Sequence, residues 1–224
     1  MSQPVTRHIV SVHGMWMDGV EATFLRTRLA ERYGFFVHQL HHRNVRSTLD
    51  ENTAALRAFV EDEVRVRADD HCHFLAHGLG GLITLNLLAT WPDAPDGHVV
   101  GLGTPLTSDA AARVAEQPGV NTQMGASIAE GVLKRSREAW SDRLITRKIG
   151  VIAGTHSLGG GQHLRPLPLP NDGTVSVAET RHAIVDAHLE VAASHTGLTT
   201  SREVADQIAH FLNHGTFRAS LTQS

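Results

Sequence analysis

Two polar residues in the last quarter of the chain, Asp172 and His195, have types and spacing suited to acid–base chemistry. Each follows an apolar run that predicts a β-strand, so both are expected at the carboxyl edge of a parallel sheet. A carboxylate there can accept the Nδ1 proton of an imidazole and turn its Nε2 atom towards a reacting group. Asp172 alone is equally compatible with an Asp-Gly turn, and its position relative to His195 is what favours a catalytic pair.

A nucleophile to accompany this pair is expected in the turn 76–81, Ala-His-Gly-Leu-Gly-Gly. The turn joins a predicted strand to an apolar predicted helix, which is the context of the G-x-S-x-G turn that presents a catalytic serine. Ala76 replaces the first glycine, a minor departure. Gly78 occupies the serine position, and it lacks the hydroxyl that covalent catalysis requires. His77 is expected to pack under the turn and to take no part in the chemistry.

Backbone N–H groups beside this turn are the predicted binding site for a negatively charged oxygen. We assign them to Leu79, at the start of the predicted helix, and to Met15, in the turn that begins at His13-Gly14. The short His-Gly motif is also compatible with an ordinary strand-to-helix turn. Trp16 and Met17 are candidates to line an apolar substrate pocket, with packing in a surface loop as the alternative.

Taken together, these motifs resemble the compact bacterial α/β-hydrolases known as esterases and lipases, including the minimal, essentially lidless lipases. The likeness extends from about Arg7 to Phe217 and includes the separation of acid and base, 195 minus 172, or 23 residues. The resemblance implies hydrolysis of small carboxylic esters through an acyl-serine, with Asp172 as the acid and His195 as the base. The segments that carry it are 13–15 (His-Gly-Met), 76–81, 171–175 (Asn-Asp-Gly-Thr-Val) and 194–198 (Ser-His-Thr-Gly-Leu).

A second serine, Ser157, lies in the string His-Ser-Leu-Gly-Gly at 156–160 and also follows a predicted strand. The residues after it are a glycine run and Pro166, which do not favour the helix that a nucleophile turn needs. Ser157 is therefore predicted to be a loop serine near the site entrance and not the nucleophile.

Three explanations of Gly78 fit the sequence, here in decreasing order of preference. The first is an engineered Ser→Gly change that traps substrate or product. The second is a natural loss of activity that leaves a binding or regulatory protein. The third is an enzyme in which His195, supported by Asp172, activates a water molecule as general base. Without the nucleophile, the chain is expected to be nearly inactive as an esterase.

Short apolar runs alternate with helical patterns, which predicts an α/β fold with a doubly wound, mostly parallel sheet of six or slightly more strands. Strands are predicted at 8–12, 35–40, 71–76, 99–102, 148–155 and 189–193, and helices at about 20–33, 48–68 and 79–91. A last helix is predicted to begin at a capping box formed by Thr200 and Glu203 and to end at Gly215.

The length of 224 residues predicts one domain, 1–224, with a small or absent lid. The segment 108–147 is polar and alanine-rich, and it shows helical patches without a strand pattern. We expect it to form a small helical cap or rim.

Charge and composition restrict the partners. The 20 Lys and Arg residues are scattered among 23 Asp and Glu residues, so no nucleic-acid surface is predicted. No leader or membrane-spanning run is visible, and the single Cys72 agrees with a reducing compartment, so a cytoplasmic protein without a membrane partner is expected. The pairs His41-His42 and His71-x-His73 are compatible with metal ligation, but Asp69, Asp70 and Cys72 beside the second pair are not at a recognised ligand spacing, so neither a metal nor another cofactor is predicted. The oligomeric state is left open.

Overall fold

The computed structural model describes residues 5–14, 22–41, 47–107, 110, 147–158 and 167–219. In this part of the chain, six strands form one sheet in which every neighbouring pair is parallel. The strands are β1 (Arg7–Val12), β2 (Phe36–Gln39), β3 (His71–His77), β4 (Val99–Leu102), β5 (Ile149–Gly154) and β6 (Ala187–Val191). The described α-helices are α1 (Thr23–Tyr33), α2 (Leu49–Phe59), α3 (Leu79–Thr90) and α4 (Arg202–His214).

The strands lie in the order β2-β1-β3-β4-β5-β6, which confirms the predicted doubly wound sheet. The chain steps outward from β1 to β2, then returns past β1 to β3 and continues towards the other edge. In sheets of this kind ligands bind beyond the carboxyl ends of the strands, at the place where the direction of winding changes. Here that place lies between the ends of β1 and β3, so Gly14 and Gly78 follow the two strands that flank it.

Helices cover both faces of the sheet, and each face has its own hydrophobic core. One core contains Leu56 of α2 and Leu82 of α3, together with strand residues such as Val10. The other contains Leu25 of α1 and Ile208 of α4. Because α3 packs between the sheet and α2, nearly all of its residues are buried, and this explains why its sequence is apolar all round.

The start of α4 corrects the predicted capping box. Ser201, not Thr200, is the N-cap residue, and its hydroxyl accepts the backbone N–H of Val204 at 3.3 Å. The Thr200 hydroxyl instead donates to the carbonyl of Gly197. Adjacent Thr and Ser residues are both competent N-caps, so local sequence alone does not choose between them. The predicted end at Gly215 is confirmed.

The second helix is shorter than predicted. It begins as expected at Thr48, which forms a capping box with Glu51. The α-helical hydrogen bonding ends at Phe59, and a wider π turn continues from Val60–Val64. Arg65 then adopts a left-handed backbone conformation, with φ 51°, which ends the helix before the predicted residue 68.

The predicted cap or rim at 108–147 lies outside the described residues except for Ala110 and Arg147. Among the residues that the structure does describe, no helix combines the length and the apolar character needed to cross a membrane.

Candidate active site

Gly78 lies in a sharp turn between β3 and α3, with φ 51° and ψ −122°. Its backbone N–H donates to the carbonyl of Leu102, so the turn is tied to the end of the neighbouring strand. Residues with a side chain adopt this backbone conformation only at a cost in free energy, whereas glycine adopts it freely. Leu79 is the first residue of α3, and its N–H therefore has no partner within the helix.

Asp172 is held in a buried loop by backbone donors. Its Oδ1 atom accepts the N–H groups of Thr174 at 2.9 Å and Val175 at 2.7 Å. The side chain of Asn171 supports the same turn by accepting the N–H of Gly173. With 1% of its surface exposed, the Asp172 carboxylate is shielded from water, and its remaining oxygen, Oδ2, is directed to a histidine.

His195 completes the pair that the sequence predicts. Its Nδ1 atom donates to Asp172 Oδ2 at 2.7 Å, and its backbone N–H donates to the carbonyl of Asp172 at 2.9 Å. A β-carbon built on Gly78 would stand 3.2 Å from Nε2 of His195. The structure thus brings Asp172, His195 and Gly78 together, with His195 between the acid and the glycine and its Nε2 atom on the side of the glycine.

Gly103 is a residue of this site that the sequence-based interpretation missed. It follows β4 with φ 54°, and a β-carbon there would lie 2.8 Å from both Asp172 Oδ2 and His195 Nδ1. A side chain at this position would therefore collide with the hydrogen bond between the acid and the imidazole. The available signal was the Gly-Thr-Pro sequence at the end of β4, which predicts a turn but does not reveal what the turn contacts.

His77 packs beneath the turn, as the sequence predicts, and it also contacts His195. Its Nε2 atom donates to the backbone carbonyl of His195 at 3.1 Å, and the two ring centroids are 4.3 Å apart. Burial, and then the nearby His195, hold the pKa of His77 well below its usual value. His77 is therefore a neutral buried donor that fixes the backbone of His195.

The proposed oxygen-binding site is described only in part. Met15, Trp16 and Met17 lie outside the described residues. Gly14, which precedes them, is described, and its Cα lies 3.9 Å from the β-carbon position of Gly78. The end of β1 therefore reaches the turn that carries Leu79.

Ser157 contacts the loop that carries the acid. Its hydroxyl donates to the carbonyl of Asn171 at 3.4 Å. The residues that follow it, 159–166, lie outside the described residues, so the predicted absence of a helix after it stays a prediction. Within the described ranges, no group of three or more His, Cys, Asp or Glu residues is arranged to hold a metal ion.

Comparisons with known proteins identify the type of fold. No protein-family model matches the sequence, and no curated protein sequence matches it. Solved structures do match. The mature Bacillus licheniformis lipase BlEst2 is similar with a TM-score of 0.68 at 17% identity, over 95% of this chain and 93% of the lipase. The ydeN gene product from B. subtilis is similar with a TM-score of 0.66 at 17% identity, over 93% of this chain and 100% of that chain.

A third similar structure comes from the metagenome-derived lipolytic enzymes LipS and LipT, with a TM-score of 0.63 at 14% identity over 93% of this chain and 94% of that one. These likenesses and the six-stranded parallel sheet show that the chain has the α/β-hydrolase fold in a minimal form. At such low identity the likeness concerns the fold alone.

Proposed function

We propose that this chain carries the site of a carboxylic-ester hydrolase of the Ser-His-Asp type, with glycine at the nucleophile position. The observation that carries the proposal is the arrangement of Asp172, His195 and Gly78. The Nδ1 atom of His195 is bonded to Asp172, and its Nε2 atom lies 3.2 Å from the point where a β-carbon on Gly78 would stand. The lipase and lipolytic enzymes among the similar structures support an ester as the substrate class.

Each group has a distinct role in this proposal. A serine at position 78 would direct its Oγ to His195 Nε2, which takes the proton while Asp172 stabilises the resulting imidazolium. The N–H groups of Leu79 and Met15 would bind the oxygen of the tetrahedral intermediate, and Trp16 and Met17 would contact the acyl group. Without the hydroxyl no acyl-enzyme forms, so the chain binds esters and turns them over very slowly or not at all.

A second candidate is direct hydrolysis by an activated water. This candidate is supported by the distance of 3.2 Å between His195 Nε2 and the β-carbon position of Gly78. A water oxygen near that position would lie within hydrogen-bond reach of Nε2. The two candidates differ in what His195 does in the chain as it stands. If the chain only binds esters, His195→Ala leaves any background turnover unchanged. If a water is activated, His195→Ala removes that turnover.

The deciding experiment is hydrolysis of short p-nitrophenyl esters by Gly78→Ser. Restoring the nucleophile should raise kcat/KM by about 10³-fold or more over the unmodified chain. Gly78→Ala is the matched control, since it adds the β-carbon without the hydroxyl. The double variant Gly78→Ser with His195→Ala should lose the gain. A folded Gly78→Ser protein that stays inert would overturn the proposal.

A further inference from the structure

A cavity of about 340 Å³ opens at the edge of the sheet opposite to Gly78. Arg7 and His71 are the first residues of β1 and β3, and His98 immediately precedes β4. Because the strands are parallel, these residues lie at the amino edge, whereas Gly78, Asp172 and His195 follow carboxyl ends. The cavity is therefore separate from the candidate active site. Its lining also includes His73, Asp96 and Asn213.

Arg7 presents a fixed guanidinium to this cavity. One of its nitrogens donates to the side-chain oxygen of Asn213 at 2.6 Å and another to the carbonyl of Tyr33 at 3.0 Å. The group also lies over the ring of Phe35, 4.7 Å from its centroid. In the part of the chain that the structure describes, Arg7 forms no ion pair with a carboxylate. Among the described residues, the groups that hold its positive charge in place are neutral.

Two imidazoles in the lining have tautomers set by the backbone. His73 accepts the N–H of His98 at Nδ1, at 2.9 Å, and His98 accepts the N–H of Lys148 at Nδ1, at 3.3 Å. A neutral imidazole that accepts at one nitrogen carries its hydrogen on the other, so Nε2 of each ring is an N–H donor. A donor of this kind binds an oxygen and not a metal ion, which needs a free lone pair.

The balance of charge around the cavity is positive. Arg147 is buried beside it and donates to the carbonyls of Ala94, Pro95 and Gly97. In the described lining Arg7 is the one guanidinium and Asp96 the one carboxylate, and Arg147, buried outside that lining, adds a second positive charge. Burial lowers the pKa of His73 to about 3, and the charges of Arg7 and Arg147 contribute to that shift. An anion bound in the cavity would be stabilised by these positive charges.

We propose that this amino-edge cavity binds a small oxyanion, the carboxylate or phosphate group of a small molecule. Arg7 supplies the charge, and the Nε2–H donors of His73 and His98 supply directed hydrogen bonds. Arg guanidinium groups are well suited to planar contacts with such oxygens. The volume lies at the lower end of the range for small-molecule sites, so the anion is no larger than a small metabolite.

The test is calorimetric titration of the intact protein with sodium phosphate and, separately, sodium succinate, at constant ionic strength. We expect saturable binding of at least one of the two, in the millimolar range or tighter. Arg7→Gln should weaken it by about tenfold or more. Arg181→Gln is the matched control, because it removes the same charge from an exposed ion pair with Glu190 and should leave the affinity unchanged.

A second variant guards against a folding defect in Arg7→Gln. Asp96→Ala removes the negative charge from the lining and should tighten binding severalfold, a gain that misfolding does not produce. When the same anions are added in an NMR titration, the ring resonances of His73 and His98 should shift. Absence of saturable binding for both anions, an equal loss in Arg7→Gln and Arg181→Gln, or an unchanged affinity in Asp96→Ala would each overturn the proposal.

Discussion

The Nε2 atom of His195 lies 3.2 Å from the point where a β-carbon on Gly78 would stand. This contact is tight, and the backbone at Gly78 has φ 51°. A serine at position 78 would therefore place its hydroxyl beside the imidazole, but any side chain at this position would also lower the stability of the fold.

We predict that Gly78→Ser lowers the free energy of unfolding by about 1–3 kcal/mol, the usual cost of a non-glycine residue in such a backbone conformation. Denaturant unfolding monitored by circular dichroism measures the change. Gly78→Ala should show a similar loss without any gain in activity. If either variant is more stable than the unmodified protein, the turn is not strained in the way the geometry indicates.

Gly103→Ala should disrupt the acid–base pair, because the new β-carbon would lie 2.8 Å from the atoms at both ends of the Asp172–His195 hydrogen bond. In the Gly78→Ser background we expect kcat for ester hydrolysis to fall by about 10²-fold, as for a displacement of order 1 Å in a catalytic group. Gly34→Ala is the control, since Gly34 also has a positive φ but lies at the end of α1. Equal activity in both variants would show that the acid–base pair does not depend on the space at Gly103.

Ser157→Ala, made in the Gly78→Ser background, should leave ester hydrolysis nearly unchanged. The hydroxyl of Ser157 donates to the carbonyl of Asn171, so its loss removes one peripheral hydrogen bond. Steady-state kinetics with a p-nitrophenyl ester provide the measurement. A collapse of activity would show that Ser157, and not position 78, holds the nucleophile.

Buried His73 should make the fold less stable in acid. Its pKa is lowered from 6.5 to about 3 by burial and by His98, His71, Arg7 and Arg147. Between these values the unfolded chain binds a proton that the folded chain does not, so stability rises with pH across this window and falls on acidification.

His73→Asn keeps an acceptor for the N–H of His98 and removes the titrating ring. We expect this variant to flatten the dependence of unfolding free energy on pH between about 3 and 6.5, by up to about 1.4 kcal/mol per pH unit. Urea unfolding at a series of pH values measures this dependence. His41→Asn is the control, because His41 is exposed. An unchanged slope in His73→Asn would mean that the ring titrates normally.

Much of the fold follows from the sequence, because periodicity is a local property. Apolar runs of strand length alternate with helical patterns, and this alternation alone indicates parallel strands with covered faces. All six predicted strands are present within a few residues of the expected bounds. The starts of helices are less certain from sequence, as the choice of Ser201 over Thr200 shows, because adjacent residues can satisfy the same backbone donors.

The sequence by itself also determined that Gly78, Asp172 and His195 follow strands, and the carboxyl ends of parallel strands share one edge. Only the tertiary structure decided the strand order, the distance between Gly78 and His195 Nε2, and the space that Gly103 leaves for the acid–base pair. The same holds for the bond from His77 to His195 and for the cavity around Arg7. These relationships join residues far apart in the chain, so they depend on packing between elements and leave no periodic signal in the sequence.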